Sequence, residues 1–305
     1  MMAAFLTAVL AGIGDGAVYA LIAVSFVLIY RATGVLNFAQ PGLLILGTWV
    51  TSVLVVDRGL PFWVAVVLAV VAVAVVSMGV ERVAIRPMIG RPVFSTALVT
   101  VGLFIVLLVL AFRLFAARAR TIGDPWQLER WCLVEGEVTC AVSLYQHHAG
   151  KVAVTAVVLT VLGLWLGRSR IGLAMRATSL DQEAAMAQGI NVGRMFSLSW
   201  ALGGGLAALG GVLLAADGSV VQANDALFAL VALPALILGG IDSFRGAVVG
   251  GIVMGLVSGV ARVYQPVHAP WLGPNFENVA PYLVMILVLL VRPYGLFGTK
   301  EVQRV

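Results

Sequence analysis

Long apolar runs separated by short polar punctuation fill almost the whole chain. An α-helix needs about 20 apolar residues to cross the hydrocarbon of a bilayer. Runs of that order predict nine spans, at about 4–30, 39–56, 61–80, 93–115, 151–167, 195–216, 226–241, 246–262 and 279–297. The second, seventh and eighth are short enough to be half-helices or re-entrant pieces. The expected fold class is all-α: a polytopic transmembrane helical bundle of about 8–9 spans, some short or broken, in a single transmembrane domain over 1–305. Two polar stretches stand out, a 116–150 loop and a 168–194 loop.

Composition agrees with this pattern. Apolar residues make up 61% of the 305 and charged residues 11%, against about 25% charged in soluble domains. The net charge of +5 does not point to nucleic acid, because the basic residues sort by loop. With the loop after the first span placed inside, the inside carries 12 of the 19 Lys and Arg and 5 of the 14 acids. Cytoplasmic loops are enriched in Lys and Arg, so the N-terminus is expected outside and the C-terminus in the cytoplasm. Arg31, Arg82, Arg86, Arg91, Arg168, Arg170, Arg176, Arg194, Arg245, Arg292, Lys300 and Arg304 form the inside set; Arg113, Arg118 and Arg120 oppose it. Residues 1–12 lack the basic start of a cleaved signal peptide and read as the beginning of the first span. Trp63 and Trp271 fall near outer span ends, Trp165 and Tyr294 near inner ones, as interfacial aromatics do.

The two cysteines, Cys132 and Cys140, both lie in the 116–150 loop. Disulfides persist in oxidising compartments, so an extracytoplasmic loop leaves two readings, a disulfide or two free thiols. Their spacing is not by itself a zinc signature, and the nearby His147 and His148 read as solvated loop residues rather than ligands.

Several chemistries lack their residues. There is no G-x-x-x-x-G-K-[ST] phosphate loop, no Ser-His-Asp constellation and no metal-ligand cluster, so neither catalytic residues nor a cofactor are expected. No acid or histidine falls near the middle of a predicted span, where ion-coupled carriers retain one. Asp15, between Gly14 and Gly16, comes nearest and reads first as an interfacial charge, second as a substrate contact.

Polar residues do interrupt the second span. In Gly34–Val50, GVLNFAQPGLLILGTWV, Asn37, Gln40, Pro41 and Gly42 break an otherwise apolar run. Irregular backbone at membrane depth survives only inside protein or along a wet cavity, so this is either a pathway-lining break or an ordinary turn after Arg31. A second interruption, Asp242, Ser243 and Arg245, lies in Leu233–Gly255, and hints at an internal repeat. Gly203–Gly205 and the stripe Gly251, Gly255, Gly259 read as close helix packing, within the fold or against a partner.

The segment Arg168–Trp200, RSRIGLAMRATSLDQEAAMAQGINVGRMFSLSW, is polar, basic and helix-forming between two apolar spans. Within it Glu183, Ala184 and Ala185 precede Gly189 in an E-A-A-x-x-x-G pattern. A basic amphipathic segment in this place resembles the coupling loop by which the membrane subunit of an ATP-binding-cassette importer docks on its ATPase.

Four further segments carry the same likeness. Gly14–Gly47, Glu81–Gly102 (an E-R-x-x-x-R-P-M-x-G loop followed by a span), Pro234–Gly250 (PALILGGIDSFRGAVVG) and Arg292–Gly298 (RPYGLFG) each resemble the branched-chain amino-acid ABC importer permease family, in its smaller membrane subunit. The resemblance covers nearly the whole chain. It implies a bacterial plasma membrane, a small-molecule substrate such as Leu, Ile or Val, and four kinds of contact: a second permease subunit, two ATPase subunits, an extracytoplasmic solute-binding protein and membrane lipid. It implies that Arg170, Arg176, Asp181, Glu183, Ala184, Ala185 and Gly189 couple to the ATPase, while positive-inside topology alone also accounts for the arginines. Two departures stand out: Gln40-Pro41 replaces a common His-Gly, and the 116–150 loop looks like an addition. Similar permeases carry urea, amides or other amino acids. A stand-alone channel or secondary carrier is the alternative of a different class, and a membrane enzyme ranks last.

Overall fold

A computed structural model describes residues 2–115, 120–126, 129–135, 140–218, 220–221 and 228–299. Arg118, Lys300 and Arg304 of the charge pattern lie outside the described residues. The chain is a polytopic helical membrane protein. Its helices are α1 (Met2–Thr33), α2 (Gln40–Ser52), α3 (Phe62–Val80), α4 (Val93–Phe115), α5 (Gln146–Arg168), α6 (Arg170–Leu180), α7 (Gln182–Ala187), α8 (Val192–Ala215), α9 (Phe228–Gly239), α10 (Phe244–His268) and α11 (Phe276–Val291). Among the described residues seven helical stretches are long and apolar enough to cross a membrane, and Ala229–Gly239 and Phe276–Val291 are shorter apolar helices. The eighth span is not short, as the sequence suggests. α10 runs 25 residues to His268, because helix hydrogen bonding carries on through Arg262, where hydropathy falls.

Two compact units make up the chain. One comprises Met1–Ala23, Asp124–Ala156 and Leu230–Val305; the other comprises Val24–Gly123 and Val157–Ala229.

In the second unit α8 is the central element, with α2 and α3 packed along it. Glycine makes that approach close. A Cβ on Gly203 would stand 2.7 Å from the Ile29 side chain, and one on Gly211 would stand 2.7 Å from the Leu44 carbonyl oxygen. Ser77 Oγ donates to the Trp200 carbonyl at 2.6 Å and ties α3 to α8. The outer faces of α3 and α4 expose Val67, Leu68, Val71, Ile105 and Val109, as membrane-facing helices do.

The break between α1 and α2 is a buried polar turn of this unit. Asn37 is 1% and Gln40 0% exposed. Asn37 Oδ1 accepts from the Ala39 N–H at 3.0 Å, and its Nδ2 donates to Gln40 Oε1 at 3.0 Å. Gln40 Nε2 donates to Ser25 Oγ at 2.7 Å. The Phe38 N–H reaches Thr100 Oγ1 at 3.0 Å. Pro41 stands in the first turn of α2, where its missing N–H costs no helix bond. A Cβ on Gly42 would stand 2.8 Å from Leu107. These polar groups answer one another, as buried polar groups must.

In the first unit α1 and α10 meet along the glycine stripe. A Cβ on Gly255 would collide with the backbone of Gly12 and Gly16, one on Gly251 with Ala20, and one on Gly259 would stand 2.6 Å from the Ala8 carbonyl oxygen. The stripe therefore packs within the fold. Asp15 is buried within the protein, at 8% exposed. Arg262 Nη1 lies 3.2 Å from its Oδ2, Lys151 Nζ 3.6 Å from its Oδ1, and His148 Nδ1 3.8 Å from the same oxygen. Lys151 is itself 2% exposed, and a buried ammonium is retained only with a partner.

The closing RPYGLFG segment also finds its place here. The N–H groups of Leu296 and Phe297 donate to the carbonyls of Leu238 and Gly239 at 2.8 and 3.0 Å, and satisfy the open C-terminal end of α9. Asp242 accepts from Thr299 Oγ1. The 116–150 stretch is more than a loop: strands β1 (Arg120–Thr121), β2 (Arg130–Glu135) and β3 (Cys140–Tyr145) lie in it, and β2 and β3 pair antiparallel. Cys132 and Cys140 form a disulfide across that hairpin, with a Cα–Cα distance of 5.7 Å. β1 pairs with β4 (Val220–Val221) in the second unit.

Candidate functional site

The polar segment between α5 and α8 folds as a helical hairpin, α6 followed by α7, and the sequence caps each helix in turn. Ser169 Oγ accepts from the Gly172 N–H at 3.0 Å, Asp181 Oδ1 from the Ala184 N–H at 2.9 Å, and Asn191 Oδ1 from the Arg194 N–H at 3.0 Å. Side-chain oxygens of this kind satisfy the open N–H groups of a helix start. Gly189 ends the hairpin at φ +80°, a left-handed conformation that glycine adopts without strain.

Its inner side is apolar. Ala185 is 4% exposed and clusters with Ala32, Val192 and Phe196, with Ala177 and Ile190 packed against them. The outer side carries Glu183, Ala184 and Gly189, all exposed. Of the expected coupling residues, Ala185 is thus the anchor and Asp181 the cap of α7. Arg170 is exposed, but Arg176 is turned inward, where its Nη1 donates to the Leu166 carbonyl at 2.6 Å and closes the end of α5.

Sequence reading misses three residues on this surface. Leu173, Leu180 and Met186 are 61%, 87% and 55% exposed. Large apolar side chains exposed on a polar projection mark contacts with another protein or with the membrane. Their signal in the sequence is faint: three apolar residues inside a basic segment, at positions an amphipathic helix would equally bury.

Behind the hairpin stands a buried ionic clamp. α3 runs on as a π-helical turn, Glu81–Ile85, and a 3₁₀ turn, Arg86–Met88. Glu81 is fully buried. Arg86 Nε donates to Glu81 Oε1 at 3.0 Å and Nη2 to Oε2 at 2.9 Å. Ser197 Oγ donates to the same Oε2 at 2.6 Å, and Arg86 Nη2 also reaches Ser197 Oγ and the Gly193 carbonyl, at 2.7 and 2.9 Å. The fork therefore fastens the end of α3 to the first turns of α8, immediately after the hairpin. A bidentate Arg–carboxylate pair fixes direction as well as distance. Ala185 on α7 packs against Val192 and Phe196 of α8, and the clamp ties α8 to the end of α3.

No group of three or more His, Cys, Asp or Glu among the described residues is placed to hold a metal.

The chain is similar to several curated proteins. LivH of Escherichia coli strain K12, a high-affinity branched-chain amino acid transport system permease protein, is 28% identical over 99% of this chain and 98% of its own length. BraD of Pseudomonas aeruginosa, named likewise, is 35% identical over 50% of this chain and 48% of its own. MglC of Escherichia coli strain K12, a galactose/methyl galactoside import permease, is 38% identical over 41% of this chain and 35% of its own. The family model described as branched-chain amino acid transport system / permease component matches residues 8–289, and the chain belongs to that family.

Proposed function

We propose that the chain is the membrane-spanning permease subunit of an ATP-binding-cassette importer that moves branched-chain amino acids across the bacterial plasma membrane. It works beside a second permease subunit, two ATPase subunits and an extracytoplasmic solute-binding protein. The N-terminus is outside and the C-terminus is cytoplasmic. The observation that carries this reading is the capped α6–α7 hairpin, buried on one side and exposing Glu183, Leu180 and Met186 on the other, in a chain similar to LivH over nearly its full length.

Hydrolysis belongs to the partners, and this chain receives its mechanical effect. ATPase closure presses α7, the packed Ala185–Phe196 face moves α8, and the Glu81–Arg86 clamp moves α3 with it. Arg170 meets acidic groups of the ATPase. The polar turn at Asn37, Gln40, Pro41 and Gly42 lies beside the path and sets the angle at which α2 leaves α1.

The test is recovery of partners together with uptake. Affinity purification of the chain from native membranes is expected to bring an ATPase and a second permease, and deletion is expected to abolish uptake of labelled leucine. Lost urea uptake with the same partners would keep the architecture and change the solute. The chain alone, with flux independent of ATP, would mean a channel or carrier.

A further inference from the structure

The second unit contains a cleft where the end of α1, the end of α5, α6 and the start of α8 converge. Arg31, Arg176, Leu28, Leu166, Met175 and Met195 supply most of its wall.

Charge defines what this cleft accepts. It has two guanidinium groups, and no Asp or Glu is among its lining residues. A zwitterion's ammonium would find no carboxylate among the lining residues, and a monoanion needs none. Arg176 uses one N–H on the Leu166 carbonyl, and a guanidinium has five, so a planar face of donors remains beside exposed Arg31. Such a fork matches phosphate geometry.

Position defines the rest. Arg31 lies in the last turn of α1 and Arg168 in the last turn of α5, so Leu28 and Leu166 stand at the ends of two membrane spans. The cleft thus has cations near the ends of two membrane spans and an aliphatic and thioether wall beside them. That is the profile of an amphiphile with an anionic head.

We propose that this cleft binds one anionic phospholipid. Its phosphate sits between Arg31 and Arg176, and the first acyl methylenes lie against Leu28, Leu166 and Met175. Because Met175 and Arg176 belong to α6, the lipid joins the coupling hairpin to the membrane. The proposal concerns the chain itself and stands whichever solute is carried.

Native mass spectrometry of the full chain, purified in detergent and titrated with phosphatidylglycerol or phosphatidylcholine, tests it. One retained phosphatidylglycerol per chain is expected, with phosphatidylcholine lost. Arg31→Gln is expected to weaken retention about tenfold, the size of one charge-assisted contact, Arg31→Lys less, and Arg245→Gln not at all. Equal retention of the two lipids, or equal loss in Arg31→Gln and Arg245→Gln, overturns the site. Displacement by decanoate would reassign it to a free carboxylate, and displacement by inorganic phosphate to a simple anion; either overturns the lipid. Should Arg31→Gln aggregate, Met175→Trp fills the cleft without touching its charge and must abolish retention.

Discussion

Glu81 and Ser197, 116 positions apart in sequence, are joined by a 2.6 Å hydrogen bond in which the serine hydroxyl donates to a fully buried carboxylate. The same oxygen accepts from Arg86. The start of α8, which follows the α6–α7 hairpin, and the far end of α3 are thereby tied together. Glu81→Ala leaves Arg86 facing that space without its carboxylate. Breaking a buried pair by removing one partner costs about 3–5 kcal/mol; with the Arg86 side chain 34% exposed, a loss near the low end, about 3 kcal/mol, is expected in thermal unfolding. Arg86→Lys, which keeps charge but not the fork, is expected to keep most of the stability and lose transport.

The exposed face of the hairpin predicts a separation of folding from coupling. Glu183→Lys is expected to leave membrane insertion and yield intact while cutting stimulated ATP hydrolysis and ATPase co-purification. Leu180→Asp is expected to do the same without reversing a charge at Glu183. Normal transport by both variants would remove the coupling assignment from α6 and α7.

The Asp15 cluster predicts an asymmetry among its members. Asp15→Asn leaves Lys151 buried without its anion, and a loss of about 3–5 kcal/mol is expected. Arg262, with its side chain 48% exposed, returns to solvent more easily, so Arg262→Gln should cost about 1 kcal/mol or less. Denaturation of the two variants side by side measures the difference. Equal effects would mean that Lys151 does not depend on Asp15.

Two glycines separate close packing from open space. Gly255→Val drives side-chain atoms into the backbone of α1, and no folded protein is expected by fluorescence-detected gel filtration. A Cβ on Gly102 would meet nothing within 4 Å, and Gly102→Ala should stabilise α4 by about 0.5–1 kcal/mol in thermal unfolding.

The disulfide gives a test of orientation. In right-side-out vesicles, a membrane-impermeant maleimide should label Cys132 and Cys140 only after reduction. Label that appears in inside-out vesicles instead would reverse the proposed topology. Removing both cysteines by Cys132→Ser and Cys140→Ser should destabilise the hairpin by about 2 kcal/mol.

Much of this architecture is legible in the sequence because hydropathy reports length, and a membrane span is set by length. The hairpin is legible because Ser169, Asp181, Asn191 and Gly189 stand where helix starts and stops require them. What escapes is anything decided by distant partners. Asp15 looks like a boundary charge because its neighbours in sequence are glycines, while Arg262 lies 247 positions away. The polar break at Asn37 and Gln40 announces itself, but its partners Ser25 and Thr100 are ordinary residues of apolar spans. The E-R-x-x-x-R-P segment is visible as a motif, and its role as a clamp appears only when Ser197 arrives. Arg170 and Arg176 look equivalent, and only the reach of Arg176 to Leu166 tells them apart.

The contact of α1 with α10 is made by backbone against backbone, at Gly12 and Gly16 on one helix and Gly251, Gly255 and Gly259 on the other. Where those glycines meet there are no rotamers through which a larger side chain can be absorbed, so those positions leave little room for substitution. Changes that adapt this permease to a different solute must therefore accumulate on helices whose contacts are adjustable, and this pair sets the fixed frame against which such change is measured.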